Sequence, residues 1–145
     1  MLQRPEWLKV KAPVGQKPSE IGIMLNKLGL HTVCQSANCP NMGECWQGEG
    51  ATATFMLLGN VCTRACKFCA VQTGNPQGVV DQQEPQHIAQ AINQLKLDYV
   101  VLTSVDRDDL DDEGAAHFAA TINEIKKLFP QLINSILLTN KKNSL

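Results

Sequence analysis

The stretch Gly59-Asn-Val-Cys-Thr-Arg-Ala-Cys-Lys-Phe-Cys-Ala70 places three cysteines, Cys62, Cys66 and Cys69, on one short loop. The loop directly follows an apolar run at 54–59, which is typical of a buried strand. Three thiolates can hold three corners of a cubic iron–sulfur cluster, whereas complete protein ligation takes four cysteines. The pattern therefore predicts a cluster with one iron left open for a substrate or cofactor.

Length and charge narrow the class of protein. The chain has 145 residues, which is enough for one domain with a core. Its formal net charge of −1 gives no electrostatic case for nucleic acid or for an acidic membrane surface. No segment approaches the ~20 apolar residues of a membrane span, and the first residues resemble neither a signal nor a transit peptide. We therefore expect a cytoplasmic protein that binds neither nucleic acid nor membrane.

All six cysteines fall between residues 34 and 69, in two groups of three. The first group, Cys34, Cys39 and Cys45, lies in a segment rich in turn-forming residues, which predicts a loop that lets its thiolates converge. Because cytoplasmic thiols stay reduced, metal or redox chemistry is favoured over disulfides. Zinc is an alternative, since Cys66 and Cys69 have the spacing of a zinc-binding pair.

Helical patterns alternate with apolar, β-rich runs along the chain. The sequence predicts helices from Ser19 (as N-cap) to Gly29, over 84–96 and over 114–129, and strands over 54–59, 97–103 and 132–138. This order predicts βαβ units with a parallel sheet, so the fold class is α/β, and three strands cannot close a barrel. Residues 1–18 contain three prolines and predict an extended arm anchored by Trp7 and Leu8, with a flexible terminus as the alternative.

Other residues have both functional and structural interpretations. Trp46 could shield a metal centre from water or fill the core. The polar segment Asp106–Asp109 follows the second strand, where parallel sheets often place function, but it could equally be a solvated loop. Of the histidines, we expect His31 in a polar loop, His87 exposed and His117 at the periphery of a helix.

The spacing C-x3-C-x2-C, with Phe68 before the last cysteine, resembles the signature of the radical S-adenosylmethionine (SAM) enzymes. The resemblance implies that Cys62, Cys66 and Cys69 bind a 4Fe-4S cluster whose open iron is chelated by the amine and carboxylate of SAM. It also implies reductive cleavage of SAM to methionine and a 5′-deoxyadenosyl radical, which removes hydrogen atoms from unactivated carbon.

Four segments together resemble the lipoyl synthase family: the Arg4–Leu8 arm, the group Cys34–Cys45, the loop 59–69 and Thr103–Leu110. The resemblance implies an incomplete partial TIM-type barrel, formed by the first three β/α units and preceded by a cysteine-bearing extension. Residues 1–50 would form the arm, short helix and auxiliary-cluster loop, and residues 51–145 the first part of the core. Cys34, Cys39 and Cys45 would hold a second 4Fe-4S cluster, consumed as the sulfur source.

The resemblance also implies a reaction and its partners. The family inserts two sulfur atoms, at carbons 6 and 8, into an octanoyl chain attached to a lysine of a lipoyl carrier domain. The partners would be octanoylated carrier domains of 2-oxoacid dehydrogenase E2 or the glycine-cleavage H protein. An electron donor such as ferredoxin or flavodoxin would reduce the SAM-binding cluster. Asn60, Arg64 and Arg107 are candidate SAM contacts because they are polar and near the predicted site.

The chain departs from the family beyond about Asn134. The family continues for well over a hundred residues and includes an Arg-Ser-Ser motif whose serine ligates the auxiliary cluster. The motif is absent here, and neither Ser135 nor Ser144 stands in one. We therefore expect a C-terminally truncated copy. Two alternatives are an inactive fragment and a small iron–sulfur binding or electron-transfer protein, although an electron carrier has no need of two under-ligated clusters.

Overall fold

The fold was obtained as a computed structural model, which describes residues 5–8 and 16–137. These residues form five helices, five strands and a 3₁₀ turn at Glu6–Leu8. The helices are α1 (Gln16–Lys27), α2 (Val33–Ser36), α3 (Met42–Cys45), α4 (Glu84–Leu95) and α5 (Ala115–Leu128). The strands are β1 (Thr52–Leu57), β2 (Val61–Cys62), β3 (Gln72–Thr73), β4 (Tyr99–Ser104) and β5 (Ile133–Ile136). None of the helices in these two ranges is long and apolar enough to cross a membrane.

The central sheet has three parallel strands in the order β1-β4-β5. Phe55 of β1 lies opposite Leu102 of β4, and Leu102 lies opposite Ile136 of β5. Helices α4 and α5 precede β4 and β5 in the chain and pack against each other. The predicted α/β class with a parallel sheet is confirmed, and all three predicted strands occur within a few residues of their expected bounds.

The core is densest around the carboxyl halves of β1 and β4. The first residues of both strands alternate between buried and half-buried, as expected where one face is less covered. The final residues, Phe55–Leu57 and Leu102–Ser104, are buried without interruption, because both faces of the sheet are covered there. The loops that leave these strand ends therefore start from a buried part of the sheet.

Helix α1 begins earlier than the sequence indicated and ends where it indicated. Ser19 lies inside the helix, so the prediction that it forms the N-cap is wrong. The helix can start before Pro18 because the first amides of a helix have no intrahelical acceptor, so a proline costs little there. At the other end Gly29 takes φ +65°, and the amide of Leu30 donates to the carbonyl of Leu25, which is the Schellman arrangement that the glycine predicted.

The N-terminal arm lies mostly outside the described residues. Trp7 is 80% exposed, so the expectation that it anchors the arm is wrong. The side chain of Leu8 falls outside the described part. The prediction of an extended conformation up to residue 18 is also wrong at its end, since residues 16–18 are helical.

The chain between α1 and α2 covers the edge of β1 that faces away from β4. The amide of Met56 donates to the carbonyl of His31 at 2.9 Å, and Thr32 forms an antiparallel bridge with Phe55. The buried Thr32 hydroxyl also caps α2 by accepting from the amide of Gln35 at 3.2 Å. Strand pairing and helix capping therefore place the start of the first cysteine group beside the carboxyl half of β1.

Candidate iron–sulfur site

The cysteine loop is closed at its base by two short strands that the sequence analysis missed. Strands β2 and β3 are parallel, with Cys62 opposite Thr73, and the amide of Gly74 donates to the carbonyl of Cys62 at 2.9 Å. Each strand has only two residues, which is too short for a periodic apolar pattern to be visible. Cys62 is buried on β2, whereas Cys66 and Cys69 are exposed along the loop, and all three are free thiols.

The three cysteines line one cavity of about 360 Å³. Its wall also includes Arg64, Phe68 and Val71 from the same loop, Met56 from β1, and Ser104, Val105 and Asp106 from the end of β4. The cavity lies at the carboxyl ends of two parallel strands, where folds of this class bind ligands. The polar segment after β4 therefore reaches the cysteine loop through Asp106, whereas Phe68 is 95% exposed at the cavity mouth.

Asp106 contacts the buried cysteine directly. Its amide donates to Cys62 Sγ at 3.4 Å, and its carboxylate oxygen lies 4.0 Å from the same sulfur. Its carbonyl accepts from the amide of Thr63 at 3.0 Å. Hydrogen bonds to cysteine sulfurs are among the features that set the reduction potential of an iron–sulfur cluster. Asp106, just after β4, thus holds the start of the cysteine loop in position and places its amide and carboxylate beside the Cys62 sulfur.

Asp108 pairs with the loop two residues further on. Arg64 donates from Nε and Nη2 to the two carboxylate oxygens of Asp108, at 3.2 and 3.1 Å. The Thr63 hydroxyl donates to the same carboxylate at 2.6 Å. These donors, Arg64 first and Thr63 second, lower the pKa of Asp108 to about 2. Arg64 therefore stands in the cavity wall as one half of a bidentate ion pair.

Arg107 does not face the cavity. Its buried guanidinium donates to the carbonyls of Leu58 and Val79, at 3.1 and 2.8 Å, and to both carboxylate oxygens of Asp109. The hydrogen bond from Arg107 is the main reason that the pKa of Asp109 is lowered to about 2. These contacts tie the end of β1 to the loop after β4. Arg107 is a structural residue here, and its expected role as a SAM contact has no support in this geometry.

Asn60 is the remaining candidate SAM contact, and it lines a different cavity. That cavity has a volume of about 340 Å³ and is also bordered by His31, Glu84 and Arg107. Of the three candidates, only Arg64 lies in the wall of the cysteine cavity.

The first cysteine group is folded more regularly than the predicted loop. Cys34 lies in α2 and Cys45 ends α3, with Cys39 between them. The predicted turning loop therefore includes two single-turn helices, each too short for its sequence to show periodicity. The amide of Cys39 donates to the carbonyl of Cys34 at 2.9 Å. This hydrogen bond folds the segment back on itself, as thiol convergence requires.

The thiols of this first group share one environment. All three are half-buried and free. Burial raises the pKa of the Cys45 thiol, and the neighbouring Cys39 and Cys34, followed by Glu44, raise it further. The three sulfurs of the group thus lie near enough to act on one another. Trp46, the next residue, is buried in the core, and its indole Nε1 has no hydrogen-bond partner among the described residues.

The six free cysteines provide two groups of three possible metal ligands. Within residues 5–8 and 16–137, no three His, Cys, Asp or Glu side chains converge on one metal-ion position. The cysteines of a four-iron cluster bind separate irons and so stand further apart. Cys62, Cys66 and Cys69 would hold one such cluster, and Cys34, Cys39 and Cys45 the other.

The histidines are structural, but two of the three expectations about them are wrong. His117 is not peripheral, because its Nε2 lies 2.6 Å from the buried carboxylate of Glu84. The same carboxylate accepts from the amide of Leu58 at 2.9 Å, so α5, α4 and the end of β1 meet there. His87 is half-buried, not exposed. His31 is half-buried in the connection before α2, as a polar loop residue, and its backbone pairs with β1.

Comparison with known families gives two matches. Residues 56–141 match the radical SAM superfamily. Residues 1–39 match the N-terminal domain of lipoyl synthase of the radical SAM family. The first match begins near the end of β1 and covers the 62–69 cysteine loop, β4 and β5, and the second ends at Cys39, the second cysteine of the first group.

Curated relatives agree with both matches. A lipoyl synthase of Deinococcus radiodurans is 56% identical over 129 residues, covering 89% of this chain and 38% of the relative. The lipoyl synthase of Thermus thermophilus is 55% identical over 130 residues, covering 90% and 40%. That of Halobacterium salinarum is 51% identical over 138 residues, covering 94% and 44%. The chain thus spans about two fifths of the length of the curated relatives that it matches.

Proposed function

This chain belongs to the lipoyl synthase family of the radical SAM superfamily, and we propose that its 62–69 cysteine loop holds the 4Fe-4S cluster that cleaves SAM. The observation that carries the proposal is the cavity in which Cys62, Cys66 and Cys69 meet the carboxyl ends of β1 and β4. Three free thiols on one loop provide one ligand fewer than a four-iron cluster has irons, which leaves an iron for SAM.

The residues around this cavity have separable roles. The amide of Asp106 donates to Cys62 Sγ and holds this ligand at the buried end of the site. Met56, Val71 and Val105 give the wall an apolar surface, which keeps water away from a reactive species. Arg64 contributes the cationic group in the wall, held by Asp108. When bound, the cluster supplies the electron that breaks a carbon–sulfur bond of SAM.

We propose further that Cys34, Cys39 and Cys45 hold a second 4Fe-4S cluster, which supplies sulfur to carbons 6 and 8 of an octanoyl chain. The support is the shared environment of the three thiols and the placement of their segment beside the carboxyl half of β1. The substrates would be octanoylated lipoyl carrier domains of 2-oxoacid dehydrogenase E2 or of the glycine-cleavage H protein. Ferredoxin or flavodoxin would provide the reducing electron in a cytoplasmic setting.

The test uses the full chain, reconstituted without oxygen with ferrous iron and sulfide. Two matched triple variants separate the groups: Cys62, Cys66 and Cys69 to Ala, and Cys34, Cys39 and Cys45 to Ala. The parent should bind about eight irons with equal sulfide, and each variant about four. With SAM and dithionite, 5′-deoxyadenosine should form in the parent and in the second variant, but not in the first.

Three results would contradict the proposal. They are iron without sulfide, zinc in place of iron, and SAM cleavage that survives in the first variant. A chain that takes up two clusters and exchanges electrons but leaves SAM intact would support the electron-transfer alternative. Sulfur insertion is then tested by measuring the mass of an octanoylated carrier domain before and after the reaction. A lipoylated product formed by the first variant would refute the assigned role of the 62–69 loop.

A further inference from the structure

The cysteine loop is weakly held by its own bonds. Between Cys62 and Thr73, the amide of Cys69 donates to the carbonyl of Cys66 at 3.0 Å, and the Thr73 hydroxyl donates to the carbonyl of Arg64 at 3.3 Å. Cys66 and Cys69 are exposed and belong to no helix or strand. Fixing three sulfurs in one arrangement costs conformational entropy, so contacts from outside the loop must help to hold it.

Those outside contacts come from residues 106–108 and reach the first part of the loop. Two are made by the backbone of Asp106, which bonds to Cys62 Sγ and to the amide of Thr63. The others are made by Asp108: its carboxylate accepts from Thr63 Oγ1 and from Arg64, and its amide donates to Thr63 Oγ1 at 3.1 Å. These contacts join residues 43 to 45 positions apart in the chain. They therefore fix the loop relative to β4, which forms the opposite wall of the cavity.

We propose that Asp108 is a positioning residue: its carboxylate holds Thr63 and Arg64 so that Cys62 and the rest of the loop keep the arrangement that binds the cluster. This inference rests on the proposed function for the loop. Asp108 does not line the cysteine cavity, and it acts through Thr63 and Arg64. Its geometry is specific, because the two guanidinium nitrogens meet the two carboxylate oxygens and the hydroxyl adds a third donor.

The exposure of the Arg64–Asp108 pair distinguishes a role in ordering the loop from a contribution to the stability of the whole fold. The side chains of Arg64 and Asp108 are 36% and 45% exposed, and an exposed ion pair contributes little to the stability of a fold. Removing the Asp108 carboxylate should therefore leave the sheet and the helices intact. The consequence should be confined to the loop, where a small loss of order affects three ligands at once.

The first measurement is amide hydrogen exchange on the metal-free full chain, which reports loop order without any cluster. Asp108→Asn should speed exchange at residues 62–64 by roughly fivefold, the upper end for an exposed ion pair, and leave β1 and β4 unchanged. Asp111→Asn is the matched control, since it removes the same charge from an exposed position in the same loop after β4. Unchanged exchange in Asp108→Asn, or an equal change in the control, would overturn the inference.

The second measurement is the cluster itself, in a background with Cys34, Cys39 and Cys45 changed to Ala. Iron and sulfide per chain, the electron paramagnetic resonance spectrum after dithionite reduction and the midpoint potential are compared for parent, Asp108→Asn, Asp108→Glu and Asp111→Asn. Asp108→Asn should lose iron and show a heterogeneous spectrum, Asp108→Glu should recover part of both, and the control should match the parent.

The outcomes distinguish the two proposals. A parent that binds no cluster through the 62–69 loop refutes the proposed function, while the exchange data still report whether Asp108 orders the loop. A parent with a full cluster, and an Asp108→Asn variant with the same iron content, spectrum and potential, refutes the positioning role alone. Arg64→Ala provides a further check, because adding Asp108→Asn to it should change loop exchange less than Asp108→Asn does alone, with only the Thr63 contact left to lose.

Discussion

Gly114 is a position at which adding a single methyl group should lower the free energy of unfolding, for a geometric reason that the structure shows. It is buried, precedes α5 and adopts φ +89°, where an L side chain is strained. A Cβ built there would lie 2.2 Å from Cδ1 of the buried Leu58, so the Leu58 side chain would have to shift. The backbone strain costs about 1–2 kcal/mol and the overpacking about 1–3 kcal/mol. Gly114→Ala should therefore destabilise the chain by roughly 2–5 kcal/mol, a large part of the stability of a small domain.

Gly48 supplies the control, because it has nearly the same φ, +87°, with nothing within 4 Å of the added Cβ. Gly48→Ala should cost only the backbone strain, about 1–2 kcal/mol. The assay is urea unfolding of the metal-free full chain. The free energies of unfolding of the two variants are compared with the same dependence on urea concentration (m-value). If Gly114→Ala is no more destabilising than Gly48→Ala, then the contact between Leu58 and Gly114 is not as close as the structure has it, and the argument fails.

Three further predictions concern the supports of the site. His117→Ala removes one hydrogen-bond partner of the buried Glu84 carboxylate and leaves the amide of Leu58, so it should cost about 1–3 kcal/mol in urea unfolding. The double variant with Glu84→Gln should cost clearly less than the sum of the singles, and strict additivity would show that the two residues are not coupled. The pKa of Asp109 is lowered to about 2 by Arg107, below its value in the unfolded chain, so its stabilisation is present above about pH 4 and is lost as the pH falls towards 2. Asp109→Asn should remove about 1–2 kcal/mol of that acid-sensitive stability, and an acid limb identical to the parent's would contradict this. Ser135 lies 2.5 Å from the hydroxyl of Tyr99, so Ser135→Ala should lower stability by about 1 kcal/mol and leave iron content unchanged, whereas a loss of iron would identify it as a ligand.

The sequence predicted the elements whose signals are periodic or positional. The apolar runs gave the three strands of the main sheet, and the helices over 84–96 and 114–129 occur as Glu84–Leu95 and Ala115–Leu128. Gly29 marked the end of α1 because only a residue that tolerates positive φ suits that position. The single-turn helices α2 and α3 and the two-residue strands β2 and β3 were missed, since so short a segment cannot show a period.

The sequence could not predict which charged groups would be buried together. Glu84 and His117 are 33 residues apart, and nothing local distinguishes them from solvent-facing residues of two amphipathic helices. Arg107 and Asp108 are adjacent in a polar segment, yet one is buried and holds the end of β1, while the other is exposed and holds the cysteine loop. The pattern indicated that this segment lies near the site, but packing decides which side chain turns inward.

Met56 shows how β1 brings both cysteine groups to the same end of the sheet. Its backbone amide donates to the carbonyl of His31, and its side chain lines the cavity of the 62–69 loop. Cys34 follows His31 by three residues, so its Cα lies within about 11 Å of that of His31 even in a fully extended chain. The helical turn α2 shortens this reach. One strand and its edge partner therefore bring the two cysteine groups to the same end of the sheet, which is the proximity that the proposed sulfur transfer would require, with β1 as their common support.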